Sequence, residues 1–261
     1  MQHRPEIIKI TGKHGQREIA FLKTGSNPAK KHKNPSLFWL GGFKSDMEGS
    51  KAKAIEKFAL ELGVGAIRFD YSGHGESSGK FSEGCISSWL EEAMVIFDLS
   101  EGEQIIIGSS MGGWLALLLN KILQQRATPR VKAIILIAPA IDMTKDLMSD
   151  HFSEKQLNEL DSKGFIQLPS DYEEPYIITK KLIEDGKEHL LFGKTIEAGC
   201  PVYILQGAKD EAVPPSHAIK LLSHIMQDPV FFTMVPDGDH SLSRPQDLAL
   251  LKNTITRIIS D

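Results

Sequence analysis

Six short segments, residues 37–40, 66–69, 104–107, 133–138, 202–205 and 230–235, are apolar mostly on consecutive residues rather than on alternate ones. A strand wetted on one face alternates between apolar and polar side chains. A strand covered on both faces does not, so these segments predict a parallel sheet lying between helices. Helical spacing of apolar residues fills the intervals, over 51–62, 86–99, 113–124, 216–226 and 247–259. Parallel neighbours need long right-handed crossovers, and this alternation predicts an α/β fold with a doubly wound sheet. Two earlier runs, 6–10 and 18–23, flank Gly12 and Gly15 and read as an antiparallel hairpin added at the sheet edge. The expected sheet is then mostly parallel and eight-stranded, with helices on both faces.

Residues 140–199 break this rhythm. They carry helical patterns over 155–160 and 179–188 and a turn or hairpin over 164–169. A structureless loop of that length is uncommon in a compact domain, so the segment is expected to be a cap inserted over one end of the sheet. The division predicted is a core of residues 1–139 and 200–261 and a cap of residues 140–199. Apolar cap residues such as Met143, Leu147, Met148, Phe152, Phe165, Ile166 and Tyr172 either line an acyl pocket or fix the cap to the sheet. Met143, Met148 and Phe165 are the candidates for substrate contact.

Composition narrows the partners. Across 261 residues, Lys plus Arg is 30 and Asp plus Glu is 34, for a net charge of −4. There is no basic excess to neutralise a phosphate backbone, which argues against nucleic acid. The two cysteines, Cys85 and Cys200, cannot build a disulfide framework and form no CxxC pair. They read as reduced, buried thiols of a cytoplasmic protein. The opening MQHRPEIIKI lacks the apolar core of a signal peptide. The longest greasy runs, 114–119 and 133–138, fall far short of the ~20 residues that cross a bilayer. Residues 30–33 form a short basic cluster between the turn signals Asn27-Pro28 and Asn34-Pro35 and read as a solvated loop.

The pattern G-x-S-x-G occurs twice, as Gly108-Ser109-Ser110-Met111-Gly112 and as Gly75-Glu76-Ser77-Ser78-Gly79. Its chemical meaning depends on context, because a nucleophile elbow needs a strand running in and a helix running out. The Ser110 copy has both: Gln104-Ile105-Ile106-Ile107 leads in and Gly113-Trp114-Leu115-Ala116 leads out. The Ser77 copy lies among turn glycines with neither, so Ser110 is the candidate nucleophile and Ser77 a loop serine.

A serine hydroxyl attacks only when a base removes its proton, and the base needs an orienting acid. In this kind of fold the chain order is Ser, acid, His. Asp210 follows the strand at 202–205, on the rim where open α/β sheets bind ligands. Glu211 is the rival acid, with a solvated side chain as its ordinary role. His240 follows the strand at 230–235, in Pro236-Asp237-Gly238-Asp239-His240. Among nine histidines, His3, His14 and His32 precede the core, His217 and His224 ride a helix, and His151 and His189 lie in the cap. His74, in Asp70-Tyr71-Ser72-Gly73-His74-Gly75, is the one serious competitor and reads as a turn histidine bracing a loop beside the site. Only His240 follows both Ser110 and a suitable acid.

Acyl transfer also needs donors for the developing oxyanion. The elbow supplies the backbone N–H of Met111. The loop Gly41-Gly42-Phe43-Lys44-Ser45-Asp46 is expected to supply a second, from Phe43 or alternatively from Gly42. Gly73, Gly75 and Gly79 are one residue too widely spaced for a dinucleotide loop, Gly193-Lys194-Thr195 lacks the first glycine of a P-loop, and no HExxH is present. Neither a metal nor a cofactor is expected.

With these motifs in place the chain resembles the α/β hydrolases over nearly its whole length. Four segments are similar to one branch: Leu40-Gly41-Gly42-Phe43-Lys44-Ser45-Asp46-Met47, Asp70-Tyr71-Ser72-Gly73-His74-Gly75, residues 175–191, and Asp237-Gly238-Asp239-His240-Ser241-Leu242-Ser243-Arg244-Pro245. That branch holds bacterial hydrolases and mitochondrial palmitoyl-protein thioesterases that also hydrolyse acyl glucuronides. The resemblance implies Ser110, Asp210 and His240 as nucleophile, acid and base. It also implies a small-molecule ester or thioester as substrate, with an acylated protein as a second candidate. The alternatives are a non-catalytic binding protein or receptor on the same fold, and a perhydrolase or C–C hydrolase using the same triad.

Overall fold

The structure is a computed structural model that describes residues 4–25, 34–127, 130–168 and 176–260. The basic cluster at 30–33, His3, His32, Tyr172 and Pro175 lie outside the described residues.

Among the described residues the main sheet has eight strands in the order β1-β2-β4-β3-β5-β6-β9-β10. They are β1 (Glu6–Gly12), β2 (Gly15–Thr24), β3 (Ser36–Leu40), β4 (Ala66–Phe69), β5 (Gln104–Ser109), β6 (Val131–Ile137), β9 (Val202–Gly207) and β10 (Val230–Val235). The first two pair antiparallel, and β2 joins β4 antiparallel, as the hairpin reading requires. Every other pairing is parallel.

The consecutive apolar runs are explained by what lies on each face. Phe38, Leu40, Ile106 and Ile134 point into one core, under α2 (Ile86–Asp98), α3 (Met111–Leu123) and α6 (Pro215–His224). Leu37, Trp39, Ile105, Ile107 and Ile135 point into the other, under α1 (Ser50–Leu62) and α7 (Pro245–Ser260). Side chains alternate along a strand, and here both destinations are dry. Fully burying one such side chain is worth roughly 1.5–3 kcal/mol, so the two faces together dominate the stability of the fold.

The order also fixes where a ligand can bind. From β3 the chain crosses to β4 on one side, whereas β5 lies on β3's other side. Neighbouring strands whose connections leave in opposite directions open a crevice at their C-terminal ends. The loops after β3 and β5, which carry Phe43 and Ser110, meet there.

Between β6 and β9 the chain leaves the sheet. It forms a π-helical turn at Met143–Met148, a 3-10 turn at Ser149–His151 and α4 (Glu154–Lys163). A separate antiparallel pair follows, β7 (Phe165–Leu168) with β8 (Tyr176–Thr179), and then α5 (Lys180–Lys187). Ser153 and Gln156 cap α4 reciprocally, which satisfies end groups that a helix leaves unpaired. Leu160, Ile166, Ile178 and Ile183 form a small core belonging to this segment. Its two ends are pinned together by Asp142, whose carboxylate oxygens accept the Leu191 and Phe192 N–H groups at 2.8 and 2.8 Å.

Candidate active site

Ser110 stands at the junction of β5 and α3 with φ 53 and ψ −119. A non-glycine residue rarely adopts this conformation, and it persists only where its surroundings enforce it. The enforcement is close packing. A Cβ on Gly108 would overlap the Gly112 carbonyl, and one on Gly112 would overlap the Leu40 and Gly41 carbonyls. The glycines of the motif are therefore required by contact between the elbow, its own helix and the loop after β3.

His240 approaches from the loop after β10. Its Nε2 lies 3.1 Å from Ser110 Oγ and its Nδ1 lies 2.9 Å from Asp210 Oδ2. Asp210 is 4% exposed. It accepts two further hydrogen bonds: Gln206 Nε2 donates to Oδ2 at 3.1 Å and the Val213 N–H to Oδ1 at 2.8 Å. A carboxylate accepts only, so Nδ1 of the imidazole must carry the proton, leaving Nε2 free to accept from the serine. Glu211, the rival acid, is exposed and takes no part in this relay.

The His240 loop is held from both sides. Asp239 accepts the Leu242 N–H at 3.0 Å and the Ser241 hydroxyl at 2.9 Å. Arg244 forks to Asp237 and Asp247, and these carboxylates hold its guanidinium proton more tightly than usual. From α1, Lys51 Nζ donates to the Ser241 carbonyl and lies 3.4 Å from Ser243 Oγ. Burial pushes the Lys51 ammonium down to about 8, against the pull of Asp239, Asp247 and Asp210. Nothing in the local sequence marks Lys51, because its partners lie about 190 residues away.

The two segments that carry the candidate oxyanion donors meet at the serine. Met111 is the first residue of α3, so its N–H has no partner within the helix. The loop after β3 is pressed onto the elbow, since a Cβ on Gly42 would lie 3.3 Å from Ser110 Cβ. Among the described residues the Phe43 N–H has no hydrogen-bond partner.

Ser110 and His240 open into a cavity of about 430 Å³. Its apolar lining includes Phe43, Met143, Leu147, Met148, Tyr176 and Ile178. Met143 and Met148 both border this cavity, and Met143 is also part of the hydrophobic core. Phe165 does not: it is 38% exposed and lines no part of the cavity. Along β7 alternate side chains face opposite ways, and Ile166 takes the buried position. The hairpin contributes Leu168, Tyr176 and Ile178 instead.

Ser77 is engaged elsewhere. Its hydroxyl donates to the Asp70 carbonyl at 2.7 Å and accepts the Ala20 N–H at 2.9 Å. Among the described residues no group of three or more His, Cys, Asp or Glu side chains is arranged to hold a metal ion.

Comparison with known proteins identifies the family. The family model for serine aminopeptidase S33 (Hydrolase_4) matches residues 48–182. The mitochondrial palmitoyl-protein thioesterase ABHD10 of Rattus norvegicus is 34% identical over 251 residues, spanning 92% of this chain and 82% of that protein. A putative hydrolase from Agrobacterium vitis S4 superposes with a TM-score of 0.93 at 43% identity, covering 98% of each chain. The mouse α/β hydrolase domain-containing protein 10 superposes with a TM-score of 0.84 at 30% identity, again over 98% of each chain. This chain therefore belongs to the Hydrolase_4, serine aminopeptidase-like family of α/β hydrolases.

Proposed function

We propose that the protein hydrolyses carboxylic esters or thioesters of acyl chains through an acyl-enzyme on Ser110. The observation that carries this reading is the unbroken relay from Ser110 Oγ through the His240 imidazole to the buried Asp210 carboxylate. His240 takes the serine proton as Oγ adds to the substrate carbonyl, and Asp210 stabilises the imidazolium that forms. The carbonyl oxygen gains negative charge and is met by the Phe43 and Met111 N–H groups. His240 then returns the proton to the departing alcohol or thiol. Water repeats the two steps on the acyl-enzyme and frees the carboxylic acid. No step needs a cofactor.

The apolar part of the cavity lining, from Phe43 and from residues within 140–199, supports an acyl chain as the group retained on Ser110. Relatives named palmitoyl-protein thioesterases support the same choice. An acylated protein and a small acyl thioester are both substrates of this class. For the compartment, we propose the cytoplasm. Both free cysteines are buried, and burial pushes the Cys200 thiol up to about 12, as suits thiols kept reduced. Among the described residues no helix is long and apolar enough to cross a membrane.

Fluorophosphonate labelling followed by peptide mapping tests the nucleophile, and p-nitrophenyl esters and acyl thioesters of graded length test the apolar lining. Labelling at Ser110 and a kcat/KM that climbs with chain length are expected. Absence of labelling, or activity indifferent to chain length, would contradict the respective halves of the reading.

A further inference from the structure

The second G-x-S-x-G copy takes no part in the relay, yet it belongs to a segment that touches the reacting end of the sheet twice. The loop after β4 lies against the loop after β3. Asp70, 2% exposed, accepts the Met47 N–H at 2.6 Å on Oδ1 and the Glu76 N–H at 2.9 Å on Oδ2. His74, 5% exposed, makes the second link. Its Nε2 lies 3.2 Å from the Lys44 backbone nitrogen and its Nδ1 lies 3.2 Å from the Ser72 carbonyl oxygen.

These partners dictate the tautomer. A carbonyl only accepts, so Nδ1 carries the proton. A backbone N–H only donates, so Nε2 presents its lone pair. The ring is boxed in by edge-on contacts with Tyr71, Phe81 and Trp89, at centroid distances of 5.6, 5.1 and 5.3 Å. Burial pushes the imidazole down to about 4, opposed by the Ser72 carbonyl and Asp46 and assisted by Lys44. The neutral acceptor form is thus the one present near neutral pH.

The held element is a tight turn. The Ser45 N–H and hydroxyl both donate to the Gly42 carbonyl, at 3.2 and 2.8 Å. Lys44 occupies the third position with φ 57, a left-handed conformation that costs a side-chain-bearing residue free energy. Without an acceptor for its N–H the turn can relax to negative φ at Lys44. Phe43, one residue earlier, would then shift relative to Ser110. The turn is gripped between the elbow beneath Gly42 and the imidazole behind Lys44.

We infer that His74 is a positioning residue: its neutral Nδ1–H form sets the Gly42–Ser45 turn and so aims the Phe43 N–H at the oxyanion. This rests on Phe43 serving as a donor, as proposed above. It also gives the second motif a role, because Gly75 and Ser77 hold the loop that presents His74. A Cβ on Gly75 would overlap the Asp70 carboxylate.

The test compares His74→Phe, which keeps an aromatic ring but removes both hydrogen bonds, with His74→Gln, whose side-chain oxygen can still accept from Lys44. Kinetics with p-nitrophenyl butyrate are read for each. Removing an oxyanion donor outright costs roughly 10²–10³ in kcat, so misplacing one is expected to cost the Phe variant about 10–100-fold. KM should stay within about threefold, because the interaction is made mainly in the transition state. The Gln variant should recover most of the loss. Affinity for an alkyl boronic acid, which forms a tetrahedral adduct on Ser110, should fall in step with kcat/KM.

Wild-type kcat in the Phe variant, equal losses in both variants, or a loss carried by KM would each overturn the inference. Should His74→Phe not fold, imidazole nitrogen NMR of the wild-type enzyme decides. The Nδ1–H tautomer is expected from about pH 5 to about pH 8, and an Nε2–H tautomer would overturn the assignment. Ser110→Ala, assayed alongside, separates the two readings. An active Ser110→Ala enzyme removes the proposed function itself, whereas an inactive one beside a wild-type-like His74→Phe removes only the role of His74.

Discussion

Replacing Asp210 with Asn changes one atom and leaves the volume almost untouched, yet the structure gives it a large effect. Asp210 receives three donors: Gln206 Nε2 and His240 Nδ1 on one oxygen and the Val213 N–H on the other. An Asn presents only one acceptor oxygen. With its NH₂ toward His240, that group faces both the Nδ1 proton and the Gln206 NH₂. With its NH₂ toward Val213, it faces the backbone N–H. The first arrangement drives the imidazole into its Nε2–H tautomer, which cannot take a proton from Ser110. The second keeps the tautomer but leaves a buried N–H opposed and the imidazolium without its counter-charge. Serine-protease triads lose about 10⁴-fold in kcat on the equivalent change, or roughly 5.5 kcal/mol of transition-state stabilisation. The mismatched buried donor should also lower stability by about 1–3 kcal/mol. Steady-state ester hydrolysis and urea unfolding measure the two effects separately. A folded Asp210→Asn enzyme retaining more than about a tenth of wild-type kcat would refute the view that this carboxylate governs the base.

Ser110→Ala should lower kcat by about 10⁴–10⁶-fold while the protein still unfolds cooperatively. Ser77→Ala should lose far less activity but about 1–3 kcal/mol of stability, because the Ala20 N–H and the Asp70 carbonyl lose their partner; the reverse ranking would reassign the elbow. Gly112→Ala should damage both properties, since its Cβ meets the Leu40 and Gly41 carbonyls, and a stable, active variant would contradict the packing described here. The acid limb of stability has a stated sign. His74 has a folded value of about 4 against an ordinary 6.5, so the unfolded chain binds more protons between those values and stability falls as pH falls through that window. Two-state linkage gives about 2 kcal/mol lost from His74 alone between about pH 7 and pH 5, and urea midpoints of His74→Phe should show a correspondingly shallower fall.

The middle of the sheet was legible in the sequence because β3, β4, β5, β6 and β9 are covered on both faces, which turns a periodic signal into a continuous one; the run at 230–235 is apolar too, yet as the edge strand β10 it is only partly buried. Residues 105–107 and 133–137 could hardly be anything else. The elbow was legible because strand, glycines and helix are contiguous. Asp210 and His240 could be chosen because each follows a strand and so must emerge on the same rim. Residues 140–199 were legible mainly as an interruption. Their pattern did not reveal that residues 165–168 pair with 176–179, nor that alternation would turn Phe165 outward and Ile166 inward. The braces were legible only in part: the turn around His74 marked it as a brace beside the site, but its partner Lys44 and the whole role of Lys51 were not marked. Lys51 reaches the His240 loop, and His74 reaches Lys44, only after distant segments have packed together. No spacing rule in the chain encodes a contact of that kind.

Ser110, Asp210 and His240 come from three segments, with β9 and β10 arriving last in the chain and pairing at the end of the sheet. No fragment lacking that edge can assemble the relay, and contacts so distant in sequence form late and slowly. Recovery of ester hydrolysis after dilution from denaturant should thus lag behind recovery of helical circular dichroism. Turnover becomes a clock for the docking of the last two strands.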